Sequence, residues 1–168
     1  NNIFKTKVPE NSKLMQIRFV PKCQEYIMEV VYEVEVPDVD NVESERIASI
    51  DLGVDNLMTV TTNCGIEPIV MNGKPLKSIN QYYNKKISEM QSALKLRNGK
   101  ERSNKMRRFT IKRNNKVNDY VHKSTKMVVD FCVDNNIDTL VCGYNSEWKQ
   151  EVNMGKEVNQ KFVITPYS

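Results

Sequence analysis

A single acidic residue set between two apolar runs most constrains how this chain can fold. Ile47-Ala48-Ser49-Ile50 leads into Asp51-Leu52-Gly53, and a second strand-like run, Leu57-Met58-Thr59-Val60-Thr61-Thr62, follows closely. The pattern is that of a carboxylate leaving a buried strand at a tight glycine turn. An acid in such a place is costly unless it is solvated, hydrogen-bonded or bound to a cation. The bland alternative is an Asp that merely starts a turn, the commonest meaning of Asp-x-Gly. Two chemistries use the arrangement, one holding a metal ion and the other meeting nucleotide phosphate. The rest of the chain has to decide.

Charge narrows the choice. A formal net charge of +4 over 168 residues conceals a sharp asymmetry. Residues 1–55 hold six Lys/Arg against eleven Asp/Glu, a net of −5, and residues 127–168 return to −3. Residues 74–126 hold sixteen Lys/Arg and only three acids (Glu89, Glu101 and Asp119), a net of +13. A solvated Lys-rich helical surface usually interleaves Glu. A block with so few acids repels itself unless a polyanion neutralises it, which points to nucleic acid. No stretch approaches the roughly 18 apolar residues of a membrane span, and no signal-peptide pattern opens the chain. No membrane partner is expected, and a cytoplasmic location is. Cys23, Cys64, Cys132 and Cys142 are scattered without a Cys-x-x-Cys, which argues against disulfides or zinc in this segment and fits a reducing compartment. The chain opens with Asn1-Asn2 and stops at Pro166-Tyr167-Ser168 without a closing element, so it is expected to be a piece of a longer polypeptide.

Residues 15–20 and 25–36 predict a hairpin turning near Pro21-Lys22. In its second strand Tyr26, Met28, Val30, Tyr32, Val34 and Val36 share one face, and Glu25, Glu29, Glu33 and Glu35 the other. That period of two marks a half-buried strand. The acidic segment 37–45 reads as a linker. Three antiparallel strands are expected from about 46 to 72, with a turn at Asn63-Cys64-Gly65 and Asn72-Gly73 closing the last. Two helices follow, over about 78–96 and 103–135, separated at Asn98-Gly99-Lys100. Ile79, Tyr82, Tyr83, Ile87, Met90 and Leu94 form the stripe of the first, with Tyr82 and Tyr83 assigned to the core. The first half of the second helix is basic, and only its second half is core-facing. The pair therefore reads as a basic two-helix arm, about 78–135, whose far end projects from the sheet. An all-apolar run, Thr139-Leu140-Val141-Cys142-Gly143, then predicts a buried parallel strand beside the Asp51 strand.

Four stretches go further: residues 50–57, 73–86, 113–123 and 143–150. Together they closely resemble the TnpB (OrfB) family of IS200/IS605-type insertion sequences, over a span from about Leu14 to the end. The resemblance implies an α/β, RNase H-like (RuvC-like) mixed sheet, truncated after its fourth core strand, with the long basic two-helix arm inserted. It divides the chain into residues 1–45, the end of an N-terminal β-barrel domain plus linker, and 46–168, the incomplete RuvC-like domain. It also implies a nuclease guided by a transposon-derived RNA and cutting DNA with Mg²⁺. Asp51 matches the first catalytic carboxylate, a metal ligand. Most members end the strand equivalent to 139–143 in a catalytic Glu, where this chain has Gly143; the third carboxylate and the zinc ribbon of many members would lie beyond Ser168. Two-metal phosphodiester cleavage needs several carboxylates to hold cations about 3.5–4 Å apart. Either Glu147 or Glu151 takes the second position, or the site is degenerate and the protein is a nuclease-dead nucleic-acid binder. An actin-like kinase, the other superfamily opening on such a turn, would need further Gly-rich phosphate loops, and none follows.

Lys105, Arg108, Lys112 and Lys116 recur at i, i+3, i+7 and i+11, a ribbon along one side of a helix that Arg107 and Arg113 widen. Such a ribbon suits the phosphates of an RNA–DNA heteroduplex, contacted by shape and charge. Lys85, Lys86, His122 and Lys123 complete the candidate nucleic-acid contacts. His122 is also readable as a packed junction residue or a neighbour of Asp51, and Trp148 as a packed loop residue or a base-stacking one. The strand at 139–143 and the end of the long helix are expected to expose apolar surface and favour self-association.

Overall fold

A computed structural model of the chain describes residues 5–22, 25–35 and 45–143. The chain divides into two compact units, with the boundary after residue 42. In the first, β1 (Lys13–Lys22) and β2 (Glu25–Glu33) pair antiparallel, with a bulge between Leu14 and Gln16. Phe19 faces Met28 and Ile17 faces Val30, while Arg18 donates to the Glu29 carboxylate at 2.6 Å. Both strands thus alternate as expected, but β1 runs on through Pro21 and Lys22, and β2 stops at Glu33. The expected apolar burial is not met among the described residues. Ile17, Phe19 and Tyr26 are more than half exposed, because a two-stranded ribbon has nothing of its own to lay that face against. The expected linker falls largely on residues 36–44, outside the described residues.

The second unit is a mixed α/β layer pair. Its strands are β3 (Ile47–Leu52), β4 (Asn56–Thr62), β5 (Ile69–Asn72) and β6 (Thr139–Cys142), in the order β5-β4-β3-β6. The first three form an antiparallel meander. β6 returns parallel to β3, with Ala48 beside Leu140 and Ile50 beside Cys142. Between β5 and β6 run α1 (Lys74–Asn98) and α2 (Asn104–Asp134). α1 begins four residues before the expected Ser78, because Gly73 caps it and Pro75 sits in its first turn, where a missing N–H costs nothing. It ends where expected: Gly99 takes a left-handed φ of 68° and its N–H closes on the Lys95 carbonyl. Ser103 caps α2, its hydroxyl accepting from the Met106 N–H at 3.3 Å.

Strand alternation places Ala48, Val60 and Met71 on the sheet face that the helices cover. There they join Leu57, Leu76, Val117, Val128 and Cys132 in one core. The Arg46 guanidinium donates to the Asn135 carbonyl at 3.0 Å, and Arg46 O accepts from Asp138 N at 3.1 Å, tying the end of α2 to the start of β3. The strand is less buried than its all-apolar run suggests, and it exposes apolar surface as expected: Leu140 is 40 % and Val141 50 % exposed. β6 is an edge strand, and among the described residues helices cover only one face of its sheet.

Tyr82 and Tyr83 are not in that core either. They line the α1–α2 seam, where Tyr83 stacks on Phe109 with ring centres 5.7 Å apart and Tyr82 meets the same ring edge-on at 6.0 Å. The Tyr83 hydroxyl lies 2.9 Å from that of Thr110, and the Arg113 guanidinium sits 4.5 Å over the Tyr83 ring.

Candidate functional site

Asp51 is the penultimate residue of β3, paired with Thr59 across the ladder. Because side chains alternate, Ile50 and Leu52 enter the helix-covered face while Ser49 and Asp51 occupy the other. Asp51 is exposed there, on a polar row with Ser49 and Thr61, whose hydroxyls are 2.9 Å apart. The carboxylate therefore meets its solvation requirement directly. The parallel register ends with Ile50 beside Cys142, and Asp51 and Gly143 are the next residues of the two segments. A Cβ added at Gly143 would meet nothing within 4 Å.

The turn after Asp51 is held by backbone contacts. Gly53 N–H donates to Leu57 O at 3.3 Å, and a Cβ on Gly53 would come within 2.8 Å of Asn56 O. Gly73 presses on the same turn from the start of α1. Its N–H donates to Asp55 O at 2.8 Å, and a Cβ there would stand only 2.4 Å from Val54 O. Lys77, one turn into α1, forms an ion pair with Asp55. The Tyr120 hydroxyl, on α2, donates to Asn72 O at 2.6 Å. The start of α1 thus grips the turn that follows Asp51, and α2 holds the end of β5 beside it. Lys77, Tyr120 and the packing role of Gly73 escape sequence reasoning because their contacts span tens of residues; only the Asn-Gly pair gave a signal, and it read as a turn.

A magnesium ion takes one or two carboxylates and completes its shell with water and substrate phosphate, so Asp51 can serve as one ligand. A two-metal site needs more. Among the described residues no three His, Cys, Asp or Glu side chains gather in a way that could hold a metal, and these residues do not fit a two-metal centre. Glu147, Glu151 and Trp148 lie outside the described residues. His122 is found on the sheet face opposite the one that Asp51 occupies. It lines an apolar groove of about 400 Å³ on the helix-covered face, with Ile50, Leu52, Val121 and Leu140.

The basic residues separate into two groups. Lys105, Arg108, Lys112 and Lys116 are exposed, as is Lys85 on α1. Arg107 and Arg113 are half-buried with their Nε atoms out of solvent, and Arg113 is engaged by Tyr83. Lys86 hydrogen-bonds Glu89 at 2.7 Å, which raises the lysine pKa above its usual value and lowers that of the carboxylate. Lys123 is paired with Asp119 at 2.8 Å. The four-residue ribbon is therefore the part of the predicted cationic surface most open to a polyanion.

The second unit is thus a mixed α/β sheet with an acid near the end of an inner strand and a helical pair rich in Lys and Arg. Residues 29–149 match the OrfB_IS605 family, described as a probable transposase, and the chain belongs to that family. No curated protein matches the chain. No described helix is long and apolar enough to cross a membrane.

Proposed function

We propose that this chain is the RuvC-like part of a transposon-associated, RNA-guided DNA endonuclease, with Asp51 as a Mg²⁺ ligand and the α1–α2 pair as its nucleic-acid-binding surface. The position of Asp51 carries the reading. It stands at the end of β3, an inner strand flanked by an antiparallel and a parallel neighbour, in the strand order of an RNase H-like fold and in a chain of a transposase family. DNA and guide RNA are the partners, and the exposed ribbon Lys105, Arg108, Lys112 and Lys116 contacts their phosphates without reading sequence. Lys85 extends this surface from α1. Lys86, Lys123 and His122 border it, and Arg107 and Arg113 brace it. When bound, Mg²⁺ supplies water activation and charge neutralisation at the scissile phosphate. Glu147 is the candidate second carboxylate. Residues 1–45 form the end of a separate β-barrel domain.

A second reading, a nuclease-dead guided binder, is favoured by Gly143, which follows the paired Cys142 where the family resemblance leads one to look for a catalytic Glu. One experiment separates the two. The protein from its complete reading frame is co-expressed with its flanking transposon end and given guide-matched DNA in Mg²⁺. Cleavage that disappears in Asp51→Ala supports the nuclease; guide-dependent binding without cutting, indifferent to Asp51→Ala, supports the binder.

A further inference from the structure

One ring of the aromatic cluster at the α1–α2 seam is largely exposed. Tyr83 and Phe109 stack within the seam and Arg113 caps the pair. Tyr82 touches only the edge of this stack and keeps 58 % of its surface in solvent. A buried packing role does not account for a large ring left in water.

Its surroundings are cationic on both helices. Lys85 and Lys86 follow Tyr82 by three and four residues and so share its face of α1. Of the two, Lys86 is held by Glu89 at 2.7 Å, while Lys85 is exposed. Across the seam, Lys105 and Lys112 lie one turn before and one turn after Phe109, and both are exposed. An amphipathic ring fixed at one edge by a second ring and surrounded by lysines suits a ligand with a flat π-face on an anionic backbone. Single-stranded nucleic acid has that chemistry, since each unpaired base can stack while its phosphates meet the lysines.

The geometry points to Tyr82 as a stacking platform for an unpaired nucleobase of a bound strand, supported edge-on by Phe109. This rests on the nucleic-acid reading of the helical pair but adds a contact to a base, which the ribbon does not make. Phosphate contacts alone leave a strand indifferent to whether it carries bases. Tyr82 does not.

The test compares the full chain binding a thymidine oligomer and an abasic oligomer of the same length and charge. Wild-type protein prefers the base-bearing strand by roughly 5- to 100-fold, the effect expected of a single aromatic stacking contact. Tyr82→Phe retains the preference. Tyr82→Leu, which still fills the seam, loses it without changing the salt dependence. A 5-iodouracil oligomer, which needs no variant, photo-crosslinks at Tyr82. Equal binding of the two strands by wild type, preference retained in Tyr82→Leu, or crosslinks confined to other residues each overturn the assignment. Salt-dependent binding of both strands without a base preference would leave the ribbon reading standing. Failure of either strand to bind would remove both.

Discussion

Two glycines near Asp51 carry opposite instructions. Gly73 has a φ of −84°, which any residue can adopt, so it is not a glycine for the sake of conformation. It is one for the sake of space, because a methyl group there would stand 2.4 Å from Val54 O and 2.9 Å from Asp55 O. Those oxygens belong to the turn that Asp51 leads into, and they cannot move without opening it. Gly73→Ala is expected to cost about 1–3 kcal/mol, the scale of overpacking at a tight site, read as a lower urea midpoint at unchanged slope. Gly143→Ala, with open space around its Cβ, should stay within about 0.5 kcal/mol of wild type. Equal costs at the two positions would mean that the close approach at Gly73 is not what holds the turn. In the sequence, Asn72-Gly73 signalled a turn but not its cause. The partner atoms lie almost twenty residues away, and local pattern holds no record of them.

The elements were more readable than their neighbours. Apolar runs separated by turn residues located β3, β4 and β5, and the helix-then-apolar-run order placed β6 parallel to β3. The aromatic stripe of α1 was another matter. A helix lying on a sheet and a helix lying on another helix show the same 3.6-residue period, so Tyr82 and Tyr83 could not be assigned to the right neighbour from spacing alone. The same ambiguity joined Arg107 and Arg113 to a ribbon whose other members are exposed. Changing Lys105, Arg108, Lys112 and Lys116 together to Gln should lower the salt slope of polyanion binding by roughly 3, at about 0.7–0.9 for each phosphate contact removed. Arg113→Met should leave that slope unchanged and instead cost about 0.5–2 kcal/mol of stability through the lost contact with Tyr83. Salt titrations of heparin or oligonucleotide binding, with thermal unfolding of each variant, would separate the roles. A slope indifferent to the four-residue change would remove phosphate contact from the ribbon.

At the scale of the whole molecule, two surfaces pull in opposite directions. Residues 74–126 carry a net charge of +13 and repel their counterpart on a second copy. β6 offers an unpaired edge among the described residues, carrying the half-exposed Leu140 and Val141 and sharing a groove with Val129, which is 48 % exposed. An apolar edge of this kind is a template for strand pairing between copies. Screening decides which surface wins. The Debye length falls from about 10 Å at 0.1 M salt to about 3 Å at 1 M, which weakens repulsion between the cationic arms and leaves burial of the apolar edge untouched. The chain is therefore expected to self-associate more at high salt, whereas its binding to nucleic acid weakens as salt rises. Light scattering across salt and protein concentration would show the first trend, and Val141→Lys should abolish it by placing a charge on the pairing edge. A monomer under every condition would mean that the edge is covered in the intact chain, and that the arm binds nucleic acid from a molecule acting alone.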